Sequence, residues 1–330
     1  MAVLVTGGAG YIGSHAVLEL TKKGYDVVVI DSLEKGHKEA VLGGKLYIGN
    51  LRDEEILKKV FTENNIEAVI HFAAYSLVGE SVEKPEKYYE NNLVSTMKLL
   101  NAMKDYGCKY IVFSSTAAVF GEPESIPICE DDNKNPTNTY GETKLSMEKM
   151  LKWYDVAYGI KSVALRYFNA AGADESGKIG EDHSPETHLI PLILSVALGK
   201  RESIKIYGDD YPTEDGTCIR DYIHVTDLAN AHILATQYLK ENNTSNYFNL
   251  GNGKGYSVKQ IIDTAEKVTG IKINKEVTPR RKGDPAILIA TSEKAQKVLG
   301  WKPEFNSIEN IIESAWKFHK THPNGFGNNT

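Results

Sequence analysis

An apolar, β-prone run, Ala2–Thr6, ends in Gly7-Gly8-Ala9-Gly10-Tyr11-Ile12-Gly13, and a helical pattern opens at once. Ile12, Ala16, Val17 and Leu20 recur at helical spacing and Gly24 closes the segment. Few folds accommodate this order. Glycines between a buried strand and a helix let the backbone turn sharply. They also bring the bare N–H groups and positive dipole of the helix start against an anion. The spacing fits G-x-x-G-x-x-G from Gly7 and G-x-G-x-x-G from Gly8. Eighteen residues beyond Gly13, Asp31 ends a second strand, Asp26–Asp31, where a ribose 2′-hydroxyl is expected. The pattern predicts a dinucleotide site on Gly7, Gly10, Gly13 and Asp31. The carboxylate favours NAD over NADP, because it repels a 2′-phosphate, although Lys35 nearby leaves NADP open.

The rest of the first half repeats the alternation. Strands are predicted at Lys45–Gly49, Ala68–Ala74, Lys109–Ser115 and Ser162–Phe168, with helices at Glu54–Asn64, Tyr88–Tyr106 and Tyr140–Tyr158. Near-continuously apolar strands alternating with helices predict an α/β fold, a doubly wound parallel sheet of the Rossmann type covered on both faces. Such sheets bind ligands at the carboxyl ends of their strands. After Phe168 the texture turns irregular, predicting a smaller, interleaved α/β portion. The expected division is 1–168, with 221–250 returning to it, and 169–330.

Composition excludes several function classes. With 38 Lys+Arg against 44 Asp+Glu and no basic block, an extended nucleic acid is not an expected partner. No apolar run reaches membrane-spanning length, and the start reads as a strand rather than a signal peptide. The odd, scattered Cys108, Cys129 and Cys218 suit a reducing cytoplasm. The nine histidines show no His-x-x-x-His or clustered His/Cys spacing, so no metal site is expected.

Reactive groups gather behind this framework. Tyr140 and Lys144, four apart at a helix start, share a face, and Thr116 lies at the end of the fifth strand. A phenol ionises near pH 10, so acting as a base at neutrality takes roughly 4 kcal/mol of preferential stabilisation. A neighbouring ammonium and a positive nicotinamide ring are the natural suppliers. Thr116 can hydrogen-bond the same oxygen and relay the proton. Together these groups predict hydride chemistry on an alcohol carbon.

These residues resemble the extended short-chain dehydrogenase/reductase superfamily. Ile70–Ala74, Val78–Ser81, Tyr88–Asn92, Arg166–Asn169, Tyr211–Gly216, Arg220–His224 and Arg280–Asp284 are similar, in order, to its nucleotide-sugar 4-epimerases across nearly the whole chain. The resemblance implies interconversion of UDP-glucose and UDP-galactose by transient oxidation at C4 with retained NAD, and Thr116, Tyr140 and Lys144 as catalytic residues. It also implies that Tyr11, Ile12, Asn50, Leu51, Phe72, Ala73, Ala74, Asn91, Phe168 and the catalytic trio contact the cofactor. Asn169, His188, Leu189, Tyr207, Arg220, Arg281 and Asp284 would hold the UDP-sugar. Relatives that dehydrate such sugars carry an Asp-Glu pair where this chain has Ala117-Ala118, which disfavours elimination. Thr116 replaces a common Ser, Asn50 an acid that meets the adenine amino group, and Ser76 a lysine that reaches the cofactor. Leu288 occupies a gate that tunes acceptance of N-acetyl sugars, so UDP-N-acetylglucosamine stays an alternative substrate. A plain sugar-nucleotide dehydrogenase is the alternative chemistry. A homodimer through the helices at Tyr88–Tyr106 and Tyr140–Tyr158 is the family habit, though both apolar stripes can equally be covered within one chain.

Overall fold

The computed structural model describes residues 2–281 and 284–327. Its frame is a seven-stranded sheet built from β1 (Ala2–Thr6), β2 (Asp26–Asp31), β3 (Lys45–Ile48), β4 (Ile66–His71), β5 (Tyr110–Ser114), β6 (Lys161–Tyr167) and an edge strand, Asn246–Leu250. Every pairing is parallel, in the order edge strand, β6, β5, β4, β1, β2, β3. Valine and isoleucine runs suit such strands because both faces are buried. β1 is buried throughout, and β2 exposes only Asp26.

Alternation along β1 sorts its side chains between two cores. Leu4 joins Ile30, Val69, Phe113, Leu99, Met103 and Met147 on one face. Val3 and Val5 join Val17, Leu20, Val29, Leu165, Leu228 and Phe248 on the other. Chain order reverses between β1 and β4, which makes their carboxyl ends the switch point where open α/β sheets bind ligands.

Several elements end earlier than their composition predicts. β4 stops at His71 because the Phe72 and Ala73 amides turn to Thr6 O, at 3.0 and 3.2 Å, closing the crevice floor. β6 stops at Tyr167, and the chain bends into Asn169–Ala171, which pairs in parallel with Tyr222–His224. Tyr88–Tyr106 is not one uniform α-helix. A π-helical stretch, Tyr89–Val94, separates Pro85–Tyr88 from the α-helix Ser95–Asp105.

The seventh strand, Asn246–Leu250, comes from the later half of the chain and pairs with β6 from Asn246↔Val163 to Leu250↔Tyr167. The helix before it, Val225–Asn242, packs on α1 (Tyr11–Lys22). Beyond the sheet lies a separate core of Ile190, Ile193, Leu194, Ile206, Ile261, Ile262, Ile311 and Ile312. Two small sheets flank it. Ile204–Tyr207 pairs with Lys275–Thr278, and Ile219–Arg220 lies between Tyr256–Ser257 and Ile287–Leu288.

Candidate active site

The glycine turn is shaped by close approaches. Gly7 has φ +72°, and a Cβ there would lie 2.7 Å from Ala73 N, so both conformation and space require glycine. A Cβ on Gly13 would stand 2.1 Å from Gly7 O. At Gly10, the N-cap of α1, no side chain caps the helix. A Cβ there would meet nothing nearer than Gly7 O at 3.4 Å. The space over this helix start is thus kept free of side-chain atoms, with helical N–H groups at its edge, which is the form of a pyrophosphate cradle.

Asp31 closes the turn from β2. Its Oδ2 accepts from Ala9 N at 2.9 Å and its Oδ1 from Leu33 N at 2.8 Å. Burial raises its pKa above the usual carboxylate value, and those two amides pull it back. Asn50 and Leu51 follow β3. The Asn50 Oδ1 accepts from Arg52 N and Nε at 3.0 and 3.2 Å, so its two lone pairs are already committed to Arg52. Among the residues expected around the cofactor, Tyr11 donates its hydroxyl to Gly172 O at 2.6 Å, and the Phe72 ring lies 4.5 Å from that of His232. Ile12, Ala73 and Ala74 are half-buried along the crevice. Ser76, next to Tyr75, is exposed.

Tyr140 and Lys144 ride the helix Thr139–Tyr158, whose start is fixed by Asn138 Oδ1 accepting from Gly141 N at 2.9 Å. Thr116 lies across from it, two residues past β5, and its hydroxyl accepts from Ala118 N. The two helical side chains share a face, with Lys144 Nζ 5.8 Å from the Tyr140 ring centroid. The amine does not bond the phenol, however. It donates to Ser114 O at 2.7 Å and is buried to 3 % exposure. Burial pushes Lys144 down to about 7, against a smaller upward pull from Glu148. Burial also pushes Tyr140 up to about 12, with Thr116 acting in the opposite direction. Reaching neutrality from 12 takes about five units, or about 7 kcal/mol, more than the free phenol requires. The amine thus makes no direct hydrogen bond to the phenol here, and its charge would reach Tyr140 through space while one of its three donors rests on Ser114 O.

The same helix is anchored one turn beyond Lys144. Glu148 accepts from Arg166 Nε and Nη2 at 2.9 and 2.6 Å and from Ser115 Oγ at 2.6 Å. This bidentate pair ties the helix to β6 and to the segment carrying Thr116. Asn92, in the π-helical stretch, adds a second tie. It bonds Tyr75 N and O at 2.8 and 3.1 Å and Thr143 Oγ1 at 3.2 Å, while Asn91 Nδ2 leans on it at 3.2 Å. π-helical turns are frequent at functional sites because the extra residue re-aims side chains.

The residues expected on the substrate side fall at the edges of the second core. Arg220 Nη2 pairs with Asp284 Oδ1 and reaches Pro285 O at 2.8 Å. The Arg281 guanidinium lies 3.9 Å from the Tyr207 ring centroid. Asn169 Nδ2 donates to Asp221 O at 3.0 Å, and Asp221 in turn accepts from Asn252 N at 2.7 Å. Burial raises Asp221 to about 6, with the backbone N–H groups of Asn252, Ala290 and Gly253 pulling its carboxylate back. Phe168 and Leu288 pack on Ala117, Phe120, Leu145 and Ala290. That small core links the Tyr140 helix to the strand Ile287–Leu288, whose Leu288 is paired with Arg220.

His188 precedes Leu189 at the start of the helix Leu189–Ala197. It does not stand alone, contrary to the expectation that the histidines are unclustered. Glu181, His183, Glu186 and His188 bring four donor atoms within 4.8 Å of one another. The spacing Glu-x-His-x-x-Glu-x-His is the one signal in the sequence, and it lies on an irregular loop where no helical or strand period fixes which side chains meet.

The family model described as the NAD dependent epimerase/dehydratase family matches residues 3–251. The chain belongs to that family. Among its relatives is the UDP-glucose 4-epimerase of Halalkalibacterium halodurans, 60 % identical over 326 residues, with 99 % of this chain and 98 % of the relative covered. A crystal structure of a UDP-glucose 4-epimerase superposes with TM-score 0.98 at 54 % identity, covering 99 % of this chain and 100 % of that one. The Bifidobacterium longum UDP-glucose 4-epimerase, solved with NAD⁺ and UDP, gives TM-score 0.93 at 43 % identity, covering 99 % and 100 %.

Proposed function

We propose that this protein interconverts UDP-glucose and UDP-galactose through transient oxidation at the sugar C4, with NAD retained throughout. The observation that carries the reading is the meeting of Tyr140, Lys144 and Thr116 at the carboxyl ends of the sheet, beside a glycine turn that leaves a helix start open. The relatives' shared activity supports the same substrate pair. Residues 1–168 with 221–250 form the cofactor-binding portion, and 169–330 supply the sugar-nucleotide side.

The residues present fit NAD. Gly7, Gly10 and Gly13 leave the space a pyrophosphate needs, and Asp31 would hold the adenosine ribose hydroxyls. When bound, NAD supplies the hydride acceptor and donor for C4. Tyr140 takes the proton of the C4 hydroxyl and returns it after the sugar has turned over. Thr116 holds the phenolic oxygen and relays the proton. Lys144, pushed down by burial and fixed on Ser114 O, sets the electrostatic field beside the Tyr140 phenol. Asn169, His188, Leu189, Tyr207, Arg220, Arg281 and Asp284 hold UDP. Arg281 has no carboxylate partner among the described residues and stacks on Tyr207, which leaves its planar fork free for paired phosphate oxygens.

The three free cysteines support a reducing, cytoplasmic setting. Exposed Tyr89, Met97, Trp153, Val156 and Tyr158 on the two long helical segments support a homodimer, which light scattering at micromolar concentration would show as twice the chain mass. The activity is tested by incubating purified protein with UDP-galactose, without added NAD, and following the products by NMR. UDP-glucose forming without net NADH supports the proposal. Stoichiometric NADH would indicate a dehydrogenase instead, and no conversion after NAD addition would refute the substrate assignment.

A further inference from the structure

The loop between Asn169–Ala171 and the helix Leu189–Ala197 folds back on itself so that two carboxylates and two imidazoles point at one another. His188 Nδ1 lies 2.8 Å from Glu181 Oε1 and 3.1 Å from Glu186 Oε1. His183 Nδ1 lies 3.4 Å from Glu181 Oε1 and 3.5 Å from Glu186 Oε2. These four spacings run from 2.8 to 3.5 Å, with His188 facing Glu186 Oε1 and His183 facing Oε2. A tetrahedral zinc ion with ligands at about 2.0–2.1 Å sets neighbouring donor atoms about 3.3 Å apart.

A second observation concerns the buried atoms. Glu181 Oε1 and His183 Nδ1 are both shielded from solvent, and although imidazole and carboxylate approach to 2.8–3.4 Å here, neither atom makes an aligned hydrogen bond. Glu181 is 4 % exposed. Buried carboxylates and ring nitrogens are rarely left in this state, because an unmade hydrogen bond costs about 1–3 kcal/mol. A common ion between the donors satisfies all of them at once.

We propose that Glu181, His183, Glu186 and His188 form a tetrahedral divalent-cation site, with zinc as the fitting ion. Two carboxylates and two neutral imidazoles give a charge-neutral centre, and both ligand types are ones that zinc accepts. Zinc takes imidazole nitrogens only in their neutral form, so its entry releases any protons they carry and its retention should weaken as pH falls. Each histidine uses Nδ1, which leaves Nε2 outward. For His188 that second nitrogen remains available to the UDP-sugar, a point that rests on the proposed function, whereas the metal site does not. The ion would staple the loop next to Tyr11, whose ring stands edge-on to His183 with centroids 6.1 Å apart. It thereby couples the segment before Leu189 to the first turn of α1.

The test uses NAD-loaded full-length protein, stripped with a chelator, supplied with zinc chloride and desalted. Metal is then measured by plasma mass spectrometry, with cobalt(II) as a spectroscopic substitute. About one zinc per chain and the intense visible absorption of four-coordinate cobalt are expected. Glu181→Gln and His183→Asn should each abolish retention through desalting, with the NAD content unchanged to show that the fold persists. Wild-type protein that retains no metal overturns the proposal. So does retention by the variants equal to wild type, or a cobalt spectrum of the weak octahedral kind. Should either variant fail to fold, the wild-type stoichiometry and spectrum decide alone. None of these readouts depends on epimerase activity, so failure of the metal site and failure of the substrate assignment are separable.

Discussion

Replacing Glu148 with alanine probes how the helix carrying Tyr140 and Lys144 is held. Arg166 is only 2 % exposed, and Glu148 supplies two of its three hydrogen bonds, the third going to Glu130 O at 3.0 Å. Removing the carboxylate strands a buried guanidinium, a loss that costs about 3–5 kcal/mol when one partner of a buried pair is deleted. Unfolding entropy of about 2.1 cal/mol/K per residue gives a chain of this length about 0.7 kcal/mol/K, so Tm should fall by about 4–7 °C. Calorimetry of the NAD-saturated protein provides the measurement. A second variant tests the cause. Combining Glu148→Leu with Arg166→Met removes both charges and should recover most of the loss, because a well-packed apolar pair avoids the desolvation penalty. A Tm drop below about 1 °C in the single variant would refute the reasoning, and so would a double variant melting no higher than the single one.

Three other outcomes are expected. Tyr140→Phe should lower kcat about 10²–10⁴-fold, the range for a lost acid–base group, with NAD still bound; near-normal turnover would remove the tyrosine from the chemistry. Gly10→Ala has room within the protein but places a methyl at the helix start, so folding should persist while NAD binding weakens about tenfold or more, about 1.4 kcal/mol. Unchanged NAD affinity by titration would count against the cradle. Finally, burial holds His15 and His232 at about 4 and His71 and His224 at about 3, all below the unfolded 6.5. Only the unfolded chain takes up these protons as pH falls from 6.5 toward 4, so stability should drop there by about 1.4 kcal/mol per pH unit for each histidine. Asp221, held at about 6, offsets part of one of them. Urea midpoints that stay constant from pH 7 to pH 5 would refute this balance.

Much of the frame is legible in the sequence because parallel strands announce themselves as short apolar runs and glycine turns as breaks between strand and helix. Tyr140 and Lys144 are legible as a pair because helical spacing fixes their common face. What each group touches is not. Spacing cannot show that the Lys144 amine rests on Ser114 O, because that carbonyl lies at the end of β5, thirty residues away. Asn50 reads as a free acceptor until Arg52 is seen to occupy it. The π-helical stretch at Tyr89–Val94 has nearly the apolar rhythm of an α-helix over so short a run. The Glu181–His188 cluster needs the chain to double back, which no periodicity encodes.

Asp31 links two properties that a protein engineer would want to vary separately. Its carboxylate is proposed to choose between dinucleotides, yet the same two oxygens fasten Ala9 in the glycine turn and Leu33, which sits at φ +59°. A substitution intended to admit a phosphorylated ribose would also release the turn and leave an unfavourable backbone conformation unsupported. Cofactor preference in this chain is thus written into the folding of the loop. Redesigning it calls for a replacement donor–acceptor scheme at Ala9 and Leu33 as much as for a new charge.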